Sequence, residues 1–313
     1  MAYQVEVRFA EVYEFLSSLH TFICRPSHKK IDLTPAWAAA VGETLSPELK
    51  AGLAPLVIGA EWKLVYLLAI LCPNPDSVPS FLQWVEDQSN EDLRELTSGY
   101  AVTMPEDWAF FRSVYLSVLP GWYEEYFRLV DPAIPAALQQ ETAIRLEEQP
   151  LWDADEFVDR TTGGMRFRPT DAMEQLLLVP QYHFQPVNVV YDYGVFMICH
   201  YSSRIDLAPA EVFPNPDLRL IRALGERSRL KILRYLHEGP RAFIEIVRHL
   251  KLSKGITHDH IFKLRSSGLI CAHFEGETLV EYSLRSLSIM ELQQTLMSYI
   301  TGSPQLASTT ESK

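Results

Sequence analysis

The sequence predicts an α+β fold that is mainly α-helical. A helical N-terminal domain ends in a small antiparallel sheet, and a smaller C-terminal domain combines short helices with one hairpin. A chain of 313 residues is long enough for two domains with separate cores. From Glu11 to about Glu148, apolar residues recur at spacings of three and four, which is typical of amphipathic helices. After Trp152, short segments rich in β-branched and aromatic residues indicate strands.

The N-terminal domain is predicted to span residues 1–208. An alternation of apolar and polar residues predicts a first strand over Tyr3–Phe9. Helices are predicted around Phe15–Ile23, Trp62–Ile70, Phe81–Val85, Trp108–Leu119, Trp122–Val130 and Ile134–Leu146. The strands of the small sheet are predicted at Met165–Arg168, Glu174–Val179, Tyr182–Val190 and Val195–Tyr201. Asp192–Tyr193–Gly194 suits a hairpin turn, and the sheet is expected to be antiparallel.

A second domain is predicted over residues 217–302, after a proline-rich and therefore stiff linker at 209–216. Its elements are predicted at Asp217–Leu224, Arg227–Leu236, Ala242–Leu250, Ser253–Ser266, Leu269–Phe274, Leu279–Leu284 and Ser286–Ile300. Ser253 can cap the fourth helix, and Gly268 suits the left-handed position that ends it. This order predicts a winged helix-turn-helix, which presents one exposed helix to the major groove of DNA. A polar tail at 303–313 is predicted to be disordered.

Two segments of the second domain resemble a known family. Leu224–Leu233 places a small turn residue before an arginine-flanked, leucine-rich helix, and Leu252–Ile270 contains a helix that ends in a Leu-x-x-x-Gly-Leu-Ile pattern. Both are similar to ArsR-type repressors, in which these positions form the entry segment and the recognition helix. Glu14–His20, Pro26–His28 and Leu177–Pro180 resemble the long N-terminal extension of one branch of ArsR-type regulators. That resemblance implies an architecture rather than an activity.

The charge of the chain is divided unevenly. Residues 1–216 carry 14 Lys and Arg against 30 Asp and Glu, a net charge of -16, whereas residues 217–302 carry 13 against 9, a net charge of +4. A basic module on an acidic body suits a protein that binds DNA with one end, because phosphate neutralisation provides most of the non-specific affinity. The first residues contain no signal segment, and Leu64–Leu71 is too short to span a bilayer. The protein is therefore expected in the cytoplasm, without membrane contact.

The predicted recognition helix supplies most of the candidate DNA contacts. Thr257, Ile261 and Leu264 occupy the spacing that faces the core. Lys254 suits a phosphate or a guanine, and His258 can donate or accept at a base edge. The residues predicted to contact DNA are Ser253, Lys254, Gly255, Ile256, His258, Asp259, Lys263, Arg265, Arg241 and Lys251.

Two departures from the ArsR pattern weaken this prediction. Asp259 is an acid where the family usually has a histidine or an arginine, and an acid is repelled by phosphates unless it accepts from a cytosine amine. The wing tip, Glu275–Gly276–Glu277, carries acids where the family often has arginines. These acids motivate an alternative, in which the winged helix no longer binds DNA and instead mediates dimer or partner contacts.

No metal, cofactor or enzymatic activity is predicted. The helix Phe243–Leu250 lacks the cysteines of arsenic sensors, and the last helix lacks the ligands of a zinc site. His258 and His260 are two residues apart, so they point about 200° apart on a helix and cannot share one metal. The four cysteines are far apart and are expected to be buried thiols. None of the common nucleotide-binding, hydrolase or metalloprotease motifs occurs in the sequence.

Three partners are predicted: double-stranded DNA, a second copy of the chain and, as one alternative, an effector. The ArsR resemblance implies a homodimer that binds an inverted-repeat operator as a repressor. Its interface is predicted on the apolar side of the last helix, at Leu287, Met290, Met297 and Ile300. The aromatic N-terminal domain is compatible with a pocket for a small apolar effector, and also, as the preferred alternative, with a structural or partner-binding role.

Overall fold

A computed structural model describes residues 3–207 and 212–301. The chain folds into two compact units, of which the first contains Met1–Phe157 and Pro169–Ile205 and the second contains Val158–Arg168 and Asp206–Lys313. The segment 158–168 thus lies within the predicted N-terminal domain but belongs to the second unit. The predicted tail at 303–313 and part of the predicted linker at 209–216, namely residues 209–211, lie outside the described residues. Among the described residues, no helix combines the length and apolar character needed to cross a membrane.

The described elements are mostly helical, as the sequence predicts. The helices up to the start of the second unit are α1 (Glu11–Ile23), α2 (Thr34–Thr44), α3 (Pro47–Leu53), α4 (Trp62–Leu71), α5 (Val78–Asp87), α6 (Asn90–Thr97), α7 (Trp108–Phe111), α8 (Leu119–Glu125), α9 (Ala133–Glu148) and α10 (Ala154–Thr162). Short 3-10 turns occupy Arg25–Ser27, Phe127–Leu129 and Gln149–Leu151, and a π-helical segment occupies Arg112–Leu116. The strands are β1 (Gln4–Val7), β2 (Met165–Arg168), β3 (Gln175–Gln181), β4 (Val189–Asp192), β5 (Phe196–Ser202), β6 (Ile270–Glu275) and β7 (Thr278–Leu284).

The core of the first unit forms around α1. Eleven of its thirteen residues are buried, so the helix is covered on all sides rather than along one stripe. α4 is similarly covered, from Trp62 to Ala69. Other helices begin at capping serines: the side chains of Ser46 and Ser77 accept backbone N–H groups in the first turns of α3 and α5, where a proline follows.

The sheet of the first unit is mixed, so the prediction of an antiparallel sheet is wrong. Its strand order is β1-β3-β5-β4, with β1, β3 and β5 parallel and only β4 antiparallel. The hairpin turn between β4 and β5 lies where it was predicted, and Gly194 adopts a φ of 86° there. All residues of β5 and nearly all of β3 are buried, which is typical of parallel strands covered on both faces. Most of the predicted strand Tyr182–Val190 is a turn that precedes β4.

The second unit contains the predicted helix-turn-helix. Its further helices are α11 (Asn215–Leu224), α12 (Arg227–His237), α13 (Phe243–Leu250), α14 (Lys254–Ser266) and α15 (Leu287–Thr301). α11 begins inside the segment predicted as a linker. β6 and β7 form an antiparallel hairpin after α14. Gly268, which lies between α14 and β6, has a φ of 70°.

A third strand joins this hairpin from far upstream in the sequence. β2 pairs in parallel with β6, with Met165 opposite Ala272 and Arg168 opposite Glu275. The two strands approach closely at Gly164, where φ is 109° and a Cβ atom would lie 2.8 Å from the carbonyl oxygen of Ile270. A glycine is required here for both reasons. The sheet order in this unit is therefore β2-β6-β7.

Candidate nucleic-acid interface

The turn between α13 and α14 fixes the start of the candidate recognition helix. Lys251 ends α13 in the left-handed conformation, with φ at 57° and ψ at 34°. Ser253 then caps α14, since its Oγ accepts a hydrogen bond from the backbone N–H of Ile256 at 3.3 Å. This capping satisfies one of the backbone donors that a helix leaves free at its start.

α14 has one buried face and one exposed face, as its sequence predicts. Thr257, Ile261 and Leu264 are buried against the rest of the unit. The exposed residues include Ile256, whose side chain is 51% exposed although it is apolar. The other predicted contacts that are exposed on or next to this helix are Lys251, Ser253, Lys254, Gly255, His258, Asp259 and Lys263.

The His258 side chain packs against an aromatic residue that the sequence analysis did not single out. The Phe243 ring, at the start of α13, lies edge-on to the His258 imidazole with the ring centroids 6.3 Å apart. This contact limits the orientations of an otherwise exposed side chain. The sequence pattern does not predict this contact, because Phe243 and His258 lie on two different helices.

The acid on the exposed face has a cationic neighbour one turn away. The Lys263 Nζ lies 2.7 Å from the Asp259 Oδ2, and both side chains are about half exposed. An exposed pair of this kind contributes little to stability. Its effect is to reduce the local negative charge that Asp259 would present to a phosphate.

Arg241 and Arg265 are held by neighbouring side chains rather than pointing freely into solvent. The Arg241 guanidinium lies 4.6 Å from the ring centroid of Tyr235, and its backbone pairs with that of Tyr282 at 2.9 Å in both directions. Arg265 is half-buried beside the Tyr282 hydroxyl. Burial raises the pKa of Tyr282, and the charge and hydrogen bond of Arg265 partly offset this effect.

The acids of the β6–β7 hairpin also have a cationic partner. Arg168, the last residue of β2, donates to the carboxylates of Glu275 and Glu281. All three side chains are at least partly exposed. No sequence pattern predicts that Arg168 pairs with the hairpin, because more than a hundred positions separate them.

A polar cluster lies behind the hairpin. This cluster, the Asp159 cluster, consists of the buried residues Asp159, Cys271 and Arg285 and of the partly exposed Arg166. The Asp159 carboxylate accepts hydrogen bonds from Arg285, from Arg166 at 2.9 Å and from the Cys271 thiol at 3.2 Å. Burial raises the pKa of the Cys271 thiol to about 11, to which the Asp159 charge contributes. This thiol is therefore protonated and unreactive at neutral pH.

α15 presents an apolar face to solvent. Met290, Met297 and Ile300 are 59%, 54% and 72% exposed. At about 100° per residue, these three and Ile289 lie within roughly 100° of one another around the helix axis. Leu287, the fourth predicted interface residue, is half-buried and lies outside this stripe.

All four cysteines are free thiols. Cys72, Cys199 and Cys271 are buried, whereas Cys24 is half-buried and lies 2.9 Å from the Ser27 hydroxyl. Within residues 3–207 and 212–301, no three His, Cys, Asp or Glu side chains are grouped so that they could hold a metal ion.

A capped, exposed helix in a helix-turn-helix is the arrangement that DNA-binding transcription regulators present to the major groove. Residues 226–271 match the family described as "Bacterial regulatory protein, arsR family". The chain is also 33% identical over 89 residues to a "Probable mercury resistance operon repressor" from Streptomyces lividans, an overlap that covers 28% of this chain and 70% of that relative. The chain belongs to the arsR family of bacterial regulatory proteins.

Proposed function

We propose that the protein is a repressor that binds an inverted-repeat operator as a homodimer and places α14 in the major groove. The observation that carries this proposal is the exposed face of α14, on which Lys254, Ile256 and His258 lie opposite a buried apolar face. A helix of this kind can offer a cation to a phosphate, a methyl contact to thymine and an imidazole to a base edge. The β6–β7 hairpin would act as the wing.

The contacts of the predicted DNA-binding residues divide them into two groups. Ser253, Lys254 and His258 are proposed as direct contacts, because they are exposed near the start of α14. Arg241 and Arg265 are engaged with tyrosines, so we propose that they support the helix and add positive potential. Of the two acids at the wing tip, Glu275 is paired with Arg168, which reduces the negative charge that the hairpin would present to DNA.

The proposed dimer interface is the exposed stripe of α15. A contiguous stripe of exposed, large apolar side chains is typical of association surfaces. Met290, Met297 and Ile300 belong to the interface, and we propose Ile289 in the place of Leu287. A two-fold dimer would match a palindromic operator. The proposed role of the first unit is to bind a small effector that changes DNA affinity.

Selection of bound sequences from a random duplex pool, followed by binding assays on the recovered site, tests the DNA proposal. Lys254→Ala and His258→Ala should each weaken binding by about 1–3 kcal/mol, and His258→Ala should also relax base preference. Glu277→Arg should strengthen binding to any duplex, and more so at low salt. The control is Lys29→Ala, which removes an exposed lysine from the first unit.

Recovery of an inverted repeat supports the proposal. If no sequence is enriched, and if the α14 variants bind duplex as the parent does, the helix-turn-helix serves contacts between proteins instead. Repulsion of DNA phosphates by Asp259, Glu275 and Glu277 would then be the first explanation to test.

Sedimentation of the full chain tests the interface. A variant with Met290→Gln, Met297→Gln and Ile300→Gln should dissociate at concentrations where the parent is dimeric, because the apolar area that drives association is lost. Glu291→Gln is the matched control, since Glu291 is exposed on the opposite side of α15. A triple variant that stays fully dimeric would place the main interface elsewhere.

A further inference from the structure

The first unit contains a surface cavity of about 430 Å³ between the end of α1, α2 and α3. This volume lies within the range of small-molecule sites, about 300–1,000 Å³. Its walls are apolar and include Phe22, Ala38, Ala39, Leu45 and Leu53. The two alanines leave the space open, because α2 carries no larger side chain at these positions.

The lining of this cavity also includes two cations. Arg25 and Lys50 contribute to it, and both are exposed. Arg25 donates one hydrogen bond, from its Nη2 to the carbonyl oxygen of Ala54 at 3.0 Å. Neither side chain forms an ion pair with a carboxylate in the part of the chain that the structure describes. The lining contains no acidic residue, although residues 1–216 have a net charge of -16.

A histidine on the same wall has a fixed orientation. The Nε2–H of His28 donates to the carbonyl oxygens of Thr21 at 3.0 Å and Phe22 at 3.2 Å. These bonds hold the ring in place beside the apolar wall. The cavity therefore combines a preformed apolar interior with positive charge that no carboxylate of the described chain neutralises.

We propose that this cavity binds a small molecule with an apolar body and a single carboxylate. The apolar walls would cover the body, while the Arg25 guanidinium and the Lys50 ammonium would bind the carboxylate through charge-assisted hydrogen bonds. An uncharged apolar molecule would contact the apolar walls but form no ion pair with either cation. The inference deepens the proposed effector function by naming its site and chemical class.

A tryptophan next to the cavity provides an optical signal. The Trp37 ring lies with its centroid 6.1 Å from that of Phe22 and 6.3 Å from that of His28, and both of these residues line the cavity. A ligand that contacts the wall should change the emission of Trp37. Trp37→Phe identifies its contribution among the six tryptophans of the chain.

The test is calorimetric titration of the full chain, without DNA, with octanoate and with octan-1-ol as the uncharged probe of equal chain length. Octanoate should bind with one saturable site and a Kd of about 1 mM or below. Octan-1-ol should bind about tenfold more weakly, because it lacks the charge-assisted hydrogen bonds. Binding of octanoate should also change the Trp37 emission.

Three variants locate the site. The double variant Arg25→Gln, Lys50→Gln should weaken octanoate binding about tenfold and leave the affinity for octan-1-ol unchanged. Ala39→Leu should abolish binding of both probes, since a larger side chain fills the cavity from an exposed helical position that tolerates leucine. Lys29→Gln removes an exposed cation that does not line the cavity, so this control should bind as the parent does.

Equal binding of the two probes would overturn the carboxylate assignment. Unchanged binding in Ala39→Leu would overturn the location, and a parent without saturable octanoate binding would overturn the proposal as a whole. Because these titrations contain no DNA, their outcome is independent of the operator experiments. A failure here would leave the proposed DNA binding intact, and the reverse also holds.

Discussion

Replacing Asp159 by Asn tests whether the upstream segment 158–168 is an integral part of the DNA-binding unit. The Asp159 side chain is buried and accepts hydrogen bonds from Arg285, Arg166 and Cys271. Asparagine has nearly the same shape but no charge. The variant would therefore leave Arg285, which is only 4% exposed, buried without its ionic partner.

The expected loss of unfolding free energy is large for a single substitution. Removal of one partner from a buried ion pair typically costs about 3–5 kcal/mol. Arg166 adds little to this figure, because its side chain is 40% exposed and water can replace the lost contact. Domains are stable by about 5–15 kcal/mol, so the second unit would lose a substantial fraction of its stability.

The pH dependence of this cost has a definite sign. Burial alone would raise the pKa of Asp159, but the charge and hydrogen bond of Arg285, with contributions from Cys271 and Arg166, hold it below its ordinary value of 3.8. A carboxylate with a lowered pKa stabilises the folded state above its unfolded pKa and ceases to do so as the pH falls through its folded pKa. The difference between parent and variant should be constant near neutral pH and diminish below about pH 3.8.

Hydrogen exchange measured by mass spectrometry is the suitable assay. All six tryptophans lie in the first unit, so their fluorescence does not report on the second. The slowest amides of β6 and α14 should lose about 10²–10⁴-fold of their protection, which corresponds to 3–5 kcal/mol. Asp155→Asn is the matched control, because Asp155 is exposed one turn earlier on α10. Protection in Asp159→Asn equal to that of the control would refute the reasoning.

Two further predictions follow from local geometry. Lys251→Gly should be about 1 kcal/mol more stable than Lys251→Ala by denaturant unfolding, because the residue at this turn has a positive φ; equal stabilities would contradict a left-handed turn. Burial lowers the pKa of His200 to about 3, with the charge of His20 contributing. A lowered histidine pKa favours the folded state above the unfolded pKa of 6.5 and costs stability as the pH falls toward 3, by up to about 1.4 kcal/mol per pH unit. His200→Leu should therefore reduce the acid sensitivity of the first unit, measured by urea unfolding with tryptophan emission between pH 7 and pH 4; an unchanged pH slope would contradict a buried neutral histidine.

The helix-turn-helix was largely predictable from the sequence because its signals are local. Ser253 marks the start of α14, Gly268 follows its end, and the spacing of Thr257, Ile261 and Leu264 identifies the buried face. Each signal depends on residues within two or three turns of one another. Once the buried positions of α14 are identified, the remaining positions of the helix are predicted to be exposed. Most of the candidate interface could therefore be predicted from the sequence.

The upstream strand β2 could not be assigned a partner in this way. Its four residues predict a strand, but a strand shows nothing in its own sequence about which edge it will pair with. The partner β6 is more than a hundred positions away, and the pairing depends on Gly164 and the buried Asp159. The segment was therefore predicted as part of the N-terminal domain.

The mixed sheet of the first unit illustrates the same limit. The Gly194 turn is a local signal, and it correctly predicts that β4 and β5 are antiparallel. The parallel pairing of β3 with β1 and β5 is not local, because it requires connections that leave the sheet and return. The sequence does contain one indication of parallel pairing, the continuous apolar run Leu176–Val179 in β3. Such runs are typical of parallel strands that are buried on both faces, whereas a single turn shows the direction of only two strands.

The Asp159 cluster also joins the two proposed functional helices of the second unit. Arg285 donates to the Ser288 hydroxyl in the first turn of α15. Both side chains donate to the carbonyl oxygen of Gly268, two residues after the end of α14. Because these contacts are buried and formed by charged or hydroxyl groups, a displacement of α15 that broke them would leave polar atoms unsatisfied at the end of α14. The Gly268 carbonyl group, just after the proposed recognition helix, therefore accepts hydrogen bonds from two residues at or just before the start of the proposed dimer helix. The positions of the proposed dimer helix and of the end of the proposed recognition helix therefore both depend on Arg285, which also donates to Asp159 in the upstream segment.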